Sequence, residues 1–217
     1  MPSSSGRDYA SGRGFAANDY ASGREFKQNY LVIDEFSGAD GANLSGRAPD
    51  VLNRPAVGWS VQSGTWEVRS GRARAVGSSD QWSAVLPLGV SDVLIEVDIE
   101  VVGVDGGMVL RATNDSNYWI FTFNSGINEF SAYKREGGGF TLIQNILKSW
   151  VAGERVRVAC IGNQWTSWTQ VGGVWTVRHS FTHAFNNTAT RHGIRDSSAG
   201  GAEYEYTAFR AWAPRGS

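Results

Sequence analysis

Three acidic residues, Glu96, Asp98 and Glu100, alternate with apolar residues in the segment EVDIE. Because successive side chains of a strand point to opposite faces, all three carboxylates are predicted to share one face. Two carboxyl groups about 5–5.5 Å apart are what retaining glycoside hydrolysis requires. Glu96, Asp98 and Glu100 are therefore candidate catalytic residues. The alternative is a solvated acidic face that has no catalytic role.

A second set of residues could bind a sugar, since the C–H face of a pyranose ring stacks on aromatic side chains. In QWTSWTQ, alternation predicts that Trp165 points into the core and Trp168 points outward. Arg157 is predicted to point outward from the preceding strand, and Tyr118 from NYWIFTF, near Arg111. We therefore predict these last four residues as glycan-binding: Trp168, Arg157, Tyr118 and Arg111. The alternative is that Trp168 covers a sheet edge or a subunit contact.

Residues that could bind a metal ion are few and scattered. Three histidines lie within fourteen positions of a turn-rich segment: His179, His183 and His192. Zinc needs fixed tetrahedral geometry and usually a further ligand, which this segment does not supply. Calcium takes oxygen ligands, and the available carboxylates are Asp34, Asp40, Asp105 and Asp115. No set of them stands out, so we predict no cofactor and leave calcium as the one open alternative.

One short segment occurs twice in tandem before the first apolar run of the chain. DYASGRGFAAN, residues 8–18, is followed at once by DYASGREFKQN, residues 19–29. The repeat presents the same anchor-type side chains twice, and Tyr, Arg and Phe are enriched in protein interfaces. A chain that meets two copies of one surface needs the same contacts twice, and symmetric assemblies supply such surfaces. We therefore predict a partner-binding arm over residues 1–29, anchored by Tyr9, Arg13, Phe15, Tyr20, Arg24 and Phe26. The alternative is a recent duplication in a linker that binds nothing.

The composition excludes several classes of protein. The 217 residues carry 20 basic and 21 acidic side chains, which argues against an electrostatically driven nucleic-acid or membrane-surface binder. The one cysteine, Cys160, is predicted to be a small buried residue and leaves no intrachain disulfide. No stretch is apolar enough for a membrane span, and the first residues lack the apolar core of a secretory signal.

From Tyr30 onward the sequence is a succession of short segments with period-two alternation. Turn signals separate them, for example Ser63-Gly64, Ser70-Gly71, Asp105-Gly106-Gly107, Gly137-Gly138-Gly139 and Gly172-Gly173. About a dozen strands at intervals of roughly 8–12 residues predict a sandwich or barrel. No amphipathic helix of useful length is present. We divide the chain into the arm, 1–29, and one β-sandwich domain, 30–217.

Five segments, in order, resemble concanavalin-A-like (laminin-G-like) lectin/glucanase domains. They are DEFSGADGANLSGR with GWSVQSGTWEVRSGRARA, then GGMVLRATNDSNYWIFTF, INEFSAYKREGGGFTLIQ, GERVRVACIGNQWTSWTQVGGVWT and HGIRDSSAGGAEYEYTAFRAW. The resemblance covers residues 33–212 and implies an all-β jelly-roll sandwich of two antiparallel sheets. It implies carbohydrate binding on a concave sheet face or through rim loops near a calcium ion. EVDIE also resembles the Glu-x-Asp-x-Glu signature of laminarinase/lichenase-type hydrolases, and this resemblance implies Glu96 as nucleophile, Glu100 as acid/base and Asp98 as the residue that tunes the pair. The flanking aromatic motifs of those enzymes are missing.

Domains that resemble this one recur in phage tail and capsid appendages. Together with the repeat, this resemblance leads us to expect a non-enzymatic virion protein, either a capsid decoration or minor capsid protein or a tail component. Its arm would bind other virion proteins within a symmetric oligomeric assembly, and its sandwich would hold host or environmental glycans. We expect it to be made in the host cytoplasm and to reside in the virion. The alternative is a glycoside hydrolase that uses Glu96 and Glu100.

Overall fold

The computed structural model describes residues 30–53, 57–77, 82–197 and 203–214, and within them every regular element is a β-strand. The strands form two sheets in which all described pairings are antiparallel. The predicted all-β sandwich is therefore confirmed. The described strands number seventeen rather than about a dozen, because several pairings near the chain start are only two to four residues long. The arm, residues 1–29, lies outside the described residues, so the domain division stays a prediction.

The first sheet has ten strands, and Arg155–Ile161, Val93–Val101 and Glu205–Trp212 are neighbours near its centre. Its strands are β1 (Tyr30–Asp34), β2 (Ala42–Asn43), β3 (Val51–Leu52), β5 (Trp66–Val68), β6 (Ala73–Ala75), β8 (Val93–Val101), β13 (Arg155–Ile161), β14 (Gln164–Val171), β15 (Val174–Thr182) and β17 (Glu205–Trp212).

The second sheet has seven strands in the order β12-β11-β10-β9-β16-β7-β4. Its strands are β4 (Ser60–Ser63), β7 (Trp82–Pro87), β9 (Asp105–Asn114), β10 (Asn117–Asn124), β11 (Glu129–Glu136), β12 (Gly139–Leu147) and β16 (Arg191–Asp196). Among the described residues, no helix has the length and apolar character needed to cross a membrane.

The core lies between the two sheets and is rich in aromatic rings. Trp119 and Phe121 of β10 contact Trp165 of β14 across the sandwich, with ring centroids 4.6 and 6.0 Å apart. Strand β8 contributes its predicted apolar face, and Cys160 is buried on the same side, as predicted. Burial raises the pKa of the Cys160 thiol to about 11. Each strand therefore sends alternate residues into this core and leaves the others on an outer face.

Most predicted turns are confirmed, but one is wrong. Gly64, Gly71, Gly138 and Gly173 adopt the left-handed conformation that glycine favours. Asp105-Gly106-Gly107, in contrast, begins strand β9 instead of forming a turn. The two glycines are needed there for close approach, because a Cβ on Gly106 would lie 2.4 Å from the Tyr204 ring and one on Gly107 would lie 2.5 Å from the Phe121 carbonyl oxygen.

Candidate functional site

The outer face of the seven-stranded sheet contains a cavity that sequence reasoning did not predict. On β10, Ile120, Thr122 and Asn124 line this cavity while the residues between them fill the core. The cavity has a volume of about 260 Å³. This volume is slightly below the roughly 300–1,000 Å³ typical of pockets for drug-sized ligands, so it suits one small ring. Its lining residues are Asp105, Ile120, Thr122, Asn124, Ile127, Glu129, Tyr133, Phe140 and Arg195.

One wall of the cavity is apolar and carries two aromatic rings. Tyr133 of β11 and Phe140 of β12 contact each other edge to face, with ring centroids 6.3 Å apart. Phe140 is 43% exposed and Ile127, in the β10–β11 turn, is 59% exposed. The guanidinium of Arg135 lies 5.1 Å from the centre of the Phe140 ring. This wall therefore presents a supported, solvent-accessible ring beside the opening.

The opposite wall is polar and charged. Arg195 of β16 donates from Nη1 to Oδ2 of Asp105 at 3.2 Å. Arg195 is only 5% exposed, and burial raises the pKa of the Asp105 carboxyl, an effect that Arg195 opposes. Within the described part of the chain, Oδ1 of Asp105 and Nε of Arg195 are buried and have no hydrogen-bond partner. This wall is therefore a mostly buried ion pair in which neither of these two atoms has exposed surface.

Two glycines lie in the strands beside this charged pair. Gly107 of β9 is the residue paired with both Arg195 and Thr122. Gly193, two residues before Arg195, is paired with Val85 and also lacks a side chain. A Cβ on either glycine would meet the backbone of a neighbouring strand, at 2.5 Å for Gly107 and 1.9 Å for Gly193, so the strands pack closely beside the charged pair.

A buried polar segment supports Glu129 at the edge of the cavity. Trp150 donates from its indole nitrogen to the backbone carbonyl of Glu129 at 2.9 Å. Lys148 contacts the Trp150 ring from 4.7 Å and binds both carboxylate oxygens of Glu154 at 2.6 and 2.8 Å. The backbone amide of Lys148 also donates to the carbonyl of Asn128 at 2.7 Å. These contacts connect the β10–β11 turn to the segment that follows β12.

The predicted glycan-binding residues do not form one site. Trp168 and Arg157 are paired neighbours on the outer face of the ten-stranded sheet, as predicted from alternation. Trp168 is nevertheless fully buried, since it packs in an outer-face cluster with Leu94 and Ala159. The Arg157 guanidinium lies 4.0 Å from the centre of the Trp175 ring and binds Glu96. A ligand on this surface would meet Arg157 and Trp175 before it met Trp168.

The other two predicted residues belong to the opposite side of the molecule. Tyr118 lies on the outer face of the seven-stranded sheet, but it is 3% exposed and accepts a hydrogen bond from Arg135 at 3.0 Å. Arg111 has no exposed surface, and its guanidinium lies 5.0 Å from the Trp165 ring centre and binds Asp92. Tyr118 is therefore on the outer face as predicted, whereas the Arg111 side chain lies in the core and does not share that face with it. Whether these four residues bind a glycan stays a prediction.

The predicted catalytic carboxylates share the outer face of the ten-stranded sheet, where arginines bind them. Glu96, 4% exposed, accepts hydrogen bonds from Arg157 at 2.6 Å and from Arg210 at 3.2 Å. Asp98 accepts from Arg210 at 2.9 Å and pairs with Arg155 at 3.2 Å. Glu100 pairs with Arg72 at 3.5 Å. All three side chains therefore form ion pairs with arginines on this face.

The three histidines are separate from one another and serve different contacts. His179 is buried in the core between Ser167 Oγ, 2.7 Å away, and the Phe130 carbonyl, 3.1 Å away. His192 contacts the Val90 carbonyl, and His183 lies edge-on to the Trp119 ring. Over the described ranges, no group of three or more histidine, cysteine or acidic residues could hold a metal ion.

Two of the carboxylates considered for calcium, Asp34 and Asp40, likewise accept hydrogen bonds from the protein. Asp34 accepts hydrogen bonds from Arg47 at 2.5 Å, Trp59 at 2.6 Å and the Phe36 amide at 2.9 Å. Asp40 accepts a hydrogen bond from the Ser70 amide at 2.6 Å.

The anchoring residues proposed for the arm all lie outside the described residues: Tyr9, Arg13, Phe15, Tyr20, Arg24 and Phe26.

The sequence matches no protein-family model. It also matches no curated protein sequence. Solved structures with the same fold exist. Carbohydrate-binding module CBM66 from Bacillus subtilis aligns with a TM-score of 0.53 and 11% identity, over 72% of this chain and 92% of that one.

Two further kinds of solved structure share the architecture. The exoplasmic/lumenal domain of VIP36, in a Ca2+/Man-bound form, aligns with a TM-score of 0.56 and 11% identity, over 73% of this chain and 84% of that one. The GH43 protein BlXynB from Bacillus licheniformis aligns with a TM-score of 0.56 and 16% identity, over 83% of this chain. This chain spans only 39% of BlXynB. At these identities the similarity shows the fold alone: the chain has the two-sheet β-sandwich of a carbohydrate-binding module and a lectin domain.

Proposed function

We propose that this protein binds glycans through the cavity on the outer face of its seven-stranded sheet. The observation that carries the proposal is the exposed Phe140 ring, placed opposite the Asp105–Arg195 pair across a cavity of about 260 Å³. A sugar ring has apolar C–H faces and a polar edge, so it needs an aromatic surface and hydrogen-bonding groups together. The carbohydrate-binding module and lectin structures with this fold support the proposal.

Substitution of the aromatic wall tests this proposal. Phe140→Ala removes the exposed ring, and we expect the affinity for a bound glycan to fall about tenfold. Stacking of a nucleobase on an aromatic side chain contributes roughly 1–3 kcal/mol, and we expect a sugar ring to contribute at the lower end of that range. The matched control is Leu142→Ala, two residues along β12, which is similarly exposed but does not line the cavity. Affinity electrophoresis in soluble polysaccharides measures both variants. Equal retardation of wild type and Phe140→Ala would contradict the proposal.

We propose binding without cleavage, because arginines bind Glu96 and Asp98 and so compete with a substrate for their oxygens. One observation favours a second candidate, a glycoside hydrolase with its site in the cavity. Asp105 and Glu129 both line it, and burial raises the pKa of Asp105 as a general acid requires. Release of reducing ends from a panel of glycans decides between the two. Activity lost in Asp105→Asn would favour the hydrolase, and activity lost in Glu96→Gln and Glu100→Gln would favour the laminarinase-type mechanism.

The virion role is a separate part of the proposal and rests on the repeat in residues 8–29. In this account the duplicated Tyr, Arg and Phe residues bind two equivalent surfaces of a capsid or tail assembly, and the sandwich projects from it. Deletion of residues 1–29 is expected to abolish incorporation into particles and to leave glycan binding by residues 30–217 unchanged. Incorporation of the truncated protein at the wild-type level would contradict the anchoring role.

A further inference from the structure

We infer that the cavity takes glycans that carry an anionic substituent, a carboxylate or a sulfate, and that Arg135 is the residue that binds this substituent. The inference rests on the proposed glycan-binding function and adds the chemical class of the ligand. Arg135 is not itself a lining residue, but its guanidinium lies against the ring of Phe140, which is one. Three features of this arginine carry the inference: its charge without a counter-ion, its fixed position and its unused donor atom.

The first feature is a positive charge that no carboxylate of the described chain neutralises. The Arg135 guanidinium donates hydrogen bonds only to neutral groups there, namely the carbonyls of Asp115 and Gly138 and the hydroxyl of Tyr118. The adjacent acidic residue, Glu136, pairs instead with Lys134 at 2.8 Å. The Asp115 carboxylate accepts a hydrogen bond from the Ser116 hydroxyl at 3.0 Å. An anionic group of a ligand can therefore supply the counter-ion that the protein does not.

The second feature is the position of the guanidinium, which is fixed before any ligand binds. Its centre lies 5.5 Å from the centre of the Tyr118 ring and 5.1 Å from that of the Phe140 ring. These two residues are also its neighbours in the sheet, on β10 and β12. Its hydrogen bonds to the Asp115 and Gly138 carbonyls, at 2.8 and 3.2 Å, restrict it further. A side chain already ordered loses little more rotamer freedom on binding, so the ion pair with a ligand is not offset by that cost.

The third feature is a donor atom that remains accessible. The three hydrogen bonds of Arg135 use Nη1 and Nε, which leaves the two N–H groups of Nη2. Nη2 has no partner in the described chain, and it is not among the buried atoms that lack one, so it retains exposed surface. Such N–H groups form short, charge-assisted hydrogen bonds to anionic oxygens. Because the guanidinium centre is 5.1 Å from the Phe140 ring centre, a substituent of a sugar stacked on that ring lies within reach of Nη2.

The charges that line the cavity leave the Phe140 end open to an anion. Asp105 and Arg195 neutralise each other at 3.2 Å, and Glu129 is the other charged lining residue. Glu129 begins β11 and Arg135 lies six positions later, which is roughly 20 Å along an extended strand. An anionic substituent beside Phe140 therefore meets Arg135 and not Glu129. Recognition depends on this one local cation and not on the charge of the whole chain, which is close to neutral.

Matched pairs of probes test the inference on the full chain. The members of each pair differ in the anionic group alone: oligogalacturonate with its methyl ester, and a sulfated galactan oligosaccharide with its desulfated form. Isothermal titration calorimetry at low ionic strength measures the affinities, since salt screens ion pairs. We expect the wild type to bind at least one anionic probe about tenfold more tightly than its neutral partner, because hydrogen bonds to charged groups are the stronger ones. The first pair reports on carboxylates and the second on sulfates, so the two sources of charge are distinguished.

Substitution of Arg135 shows whether this residue causes the preference. Arg135→Gln removes the charge, so the affinity for the anionic probe should fall about tenfold while that for its neutral partner changes less than about twofold. The matched control is Arg69→Gln. Arg69 is an exposed arginine in the turn between β5 and β6 of the ten-stranded sheet, and its substitution should change neither affinity. Thermal unfolding of each variant shows that it remains folded.

The outcomes separate this inference from the proposed function. If the wild type binds the neutral member of each pair as tightly as the anionic one, the cavity binds glycans but the inference is wrong. If the preference for the anionic probe persists in Arg135→Gln, or if this variant loses both probes equally, Arg135 does not recognise the anion and the inference is overturned. If the wild type binds neither these probes nor any neutral glycan, the proposed function fails and the inference fails with it.

Discussion

At the scale of the residue, the buried histidines are held in their neutral form by the fold. His179 lies between the Ser167 hydroxyl and the Phe130 carbonyl, and burial lowers its pKa from 6.5 to about 4. Burial likewise lowers the pKa of His192 to about 3. The unfolded chain takes up protons on both rings near pH 6.5, whereas the folded chain does not. The contribution of these two histidines to the free energy of unfolding is therefore fully present above pH 6.5. It is lost as the pH falls toward the pKa values of the folded state.

This lowered pKa predicts how the free energy of unfolding depends on pH. His179 alone should cost about 2 kcal/mol of stability between pH 6.5 and pH 5, at about 1.4 kcal/mol per pH unit. Urea denaturation of wild type and His179→Gln at pH 7 and pH 5 measures this difference. The variant should be less stable at pH 7 and should show a smaller loss on acidification. The same loss in both proteins would mean that His179 does not titrate as described.

Single residues of the site could be predicted only where alternation decides the face. Alternation placed Trp168 and Arg157 on an outer face and Cys160 in the core, all correctly. It could not show that Trp175 and neighbouring residues bury Trp168, because that contact joins separate strands. Phe140 follows three glycines in the sequence, and nothing local indicates that its ring lies opposite Asp105, thirty-five positions earlier.

At the scale of the element, the glycines of β9 and β16 allow the seven-stranded sheet to pack closely. A Cβ on Gly193 would lie 1.9 Å from the carbonyl oxygen of Ala84 and 2.7 Å from the Cα of Val85. Both contacts are to the backbone of β7, so neither can be relieved by a side-chain rotation. Gly193 therefore lets β16, which carries Arg195, approach β7.

This packing predicts that Gly193→Ala strongly destabilises the protein. Separating β16 from β7 should cost about 3 kcal/mol, the upper end for overpacking in a well-packed interior. The matched control is Gly139→Ala at the start of the edge strand β12, where the nearest atom to a new Cβ is 3.6 Å away. Urea midpoints of the two variants give the comparison. A Gly193→Ala protein as stable as the control would show that the two strands are not packed as closely as described.

The elements themselves could largely be predicted from period-two alternation and turn residues. The error at Asp105-Gly106-Gly107 has a physical cause, since glycine serves both tight turns and close backbone approach within strands. Only the packing of Tyr204 against Gly106 distinguishes the two uses. That error also concealed the site, because Asp105 was assigned to a turn instead of to the first position of β9.

At the scale of the whole molecule, the two outer faces differ in what they offer a ligand. On the ten-stranded sheet, ion pairs and tryptophan packing engage Glu96, Asp98, Arg157 and Arg210 with one another. On the seven-stranded sheet, the exposed Phe140 ring and the Asp105–Arg195 pair line one cavity. The near neutrality of the chain, with 20 basic and 21 acidic residues, fits a partner recognised by shape and hydrogen bonds.

The measurement that tests the central claim most directly maps where a glycan binds. Amide chemical shifts are recorded while the tightest-binding glycan is added to the full chain. We predict changes concentrated on β10, β11 and β12 around Ile120, Tyr133 and Phe140. Changes concentrated on β13 to β15 around Trp168 and Trp175, or no changes with any glycan of the panel, would contradict the account.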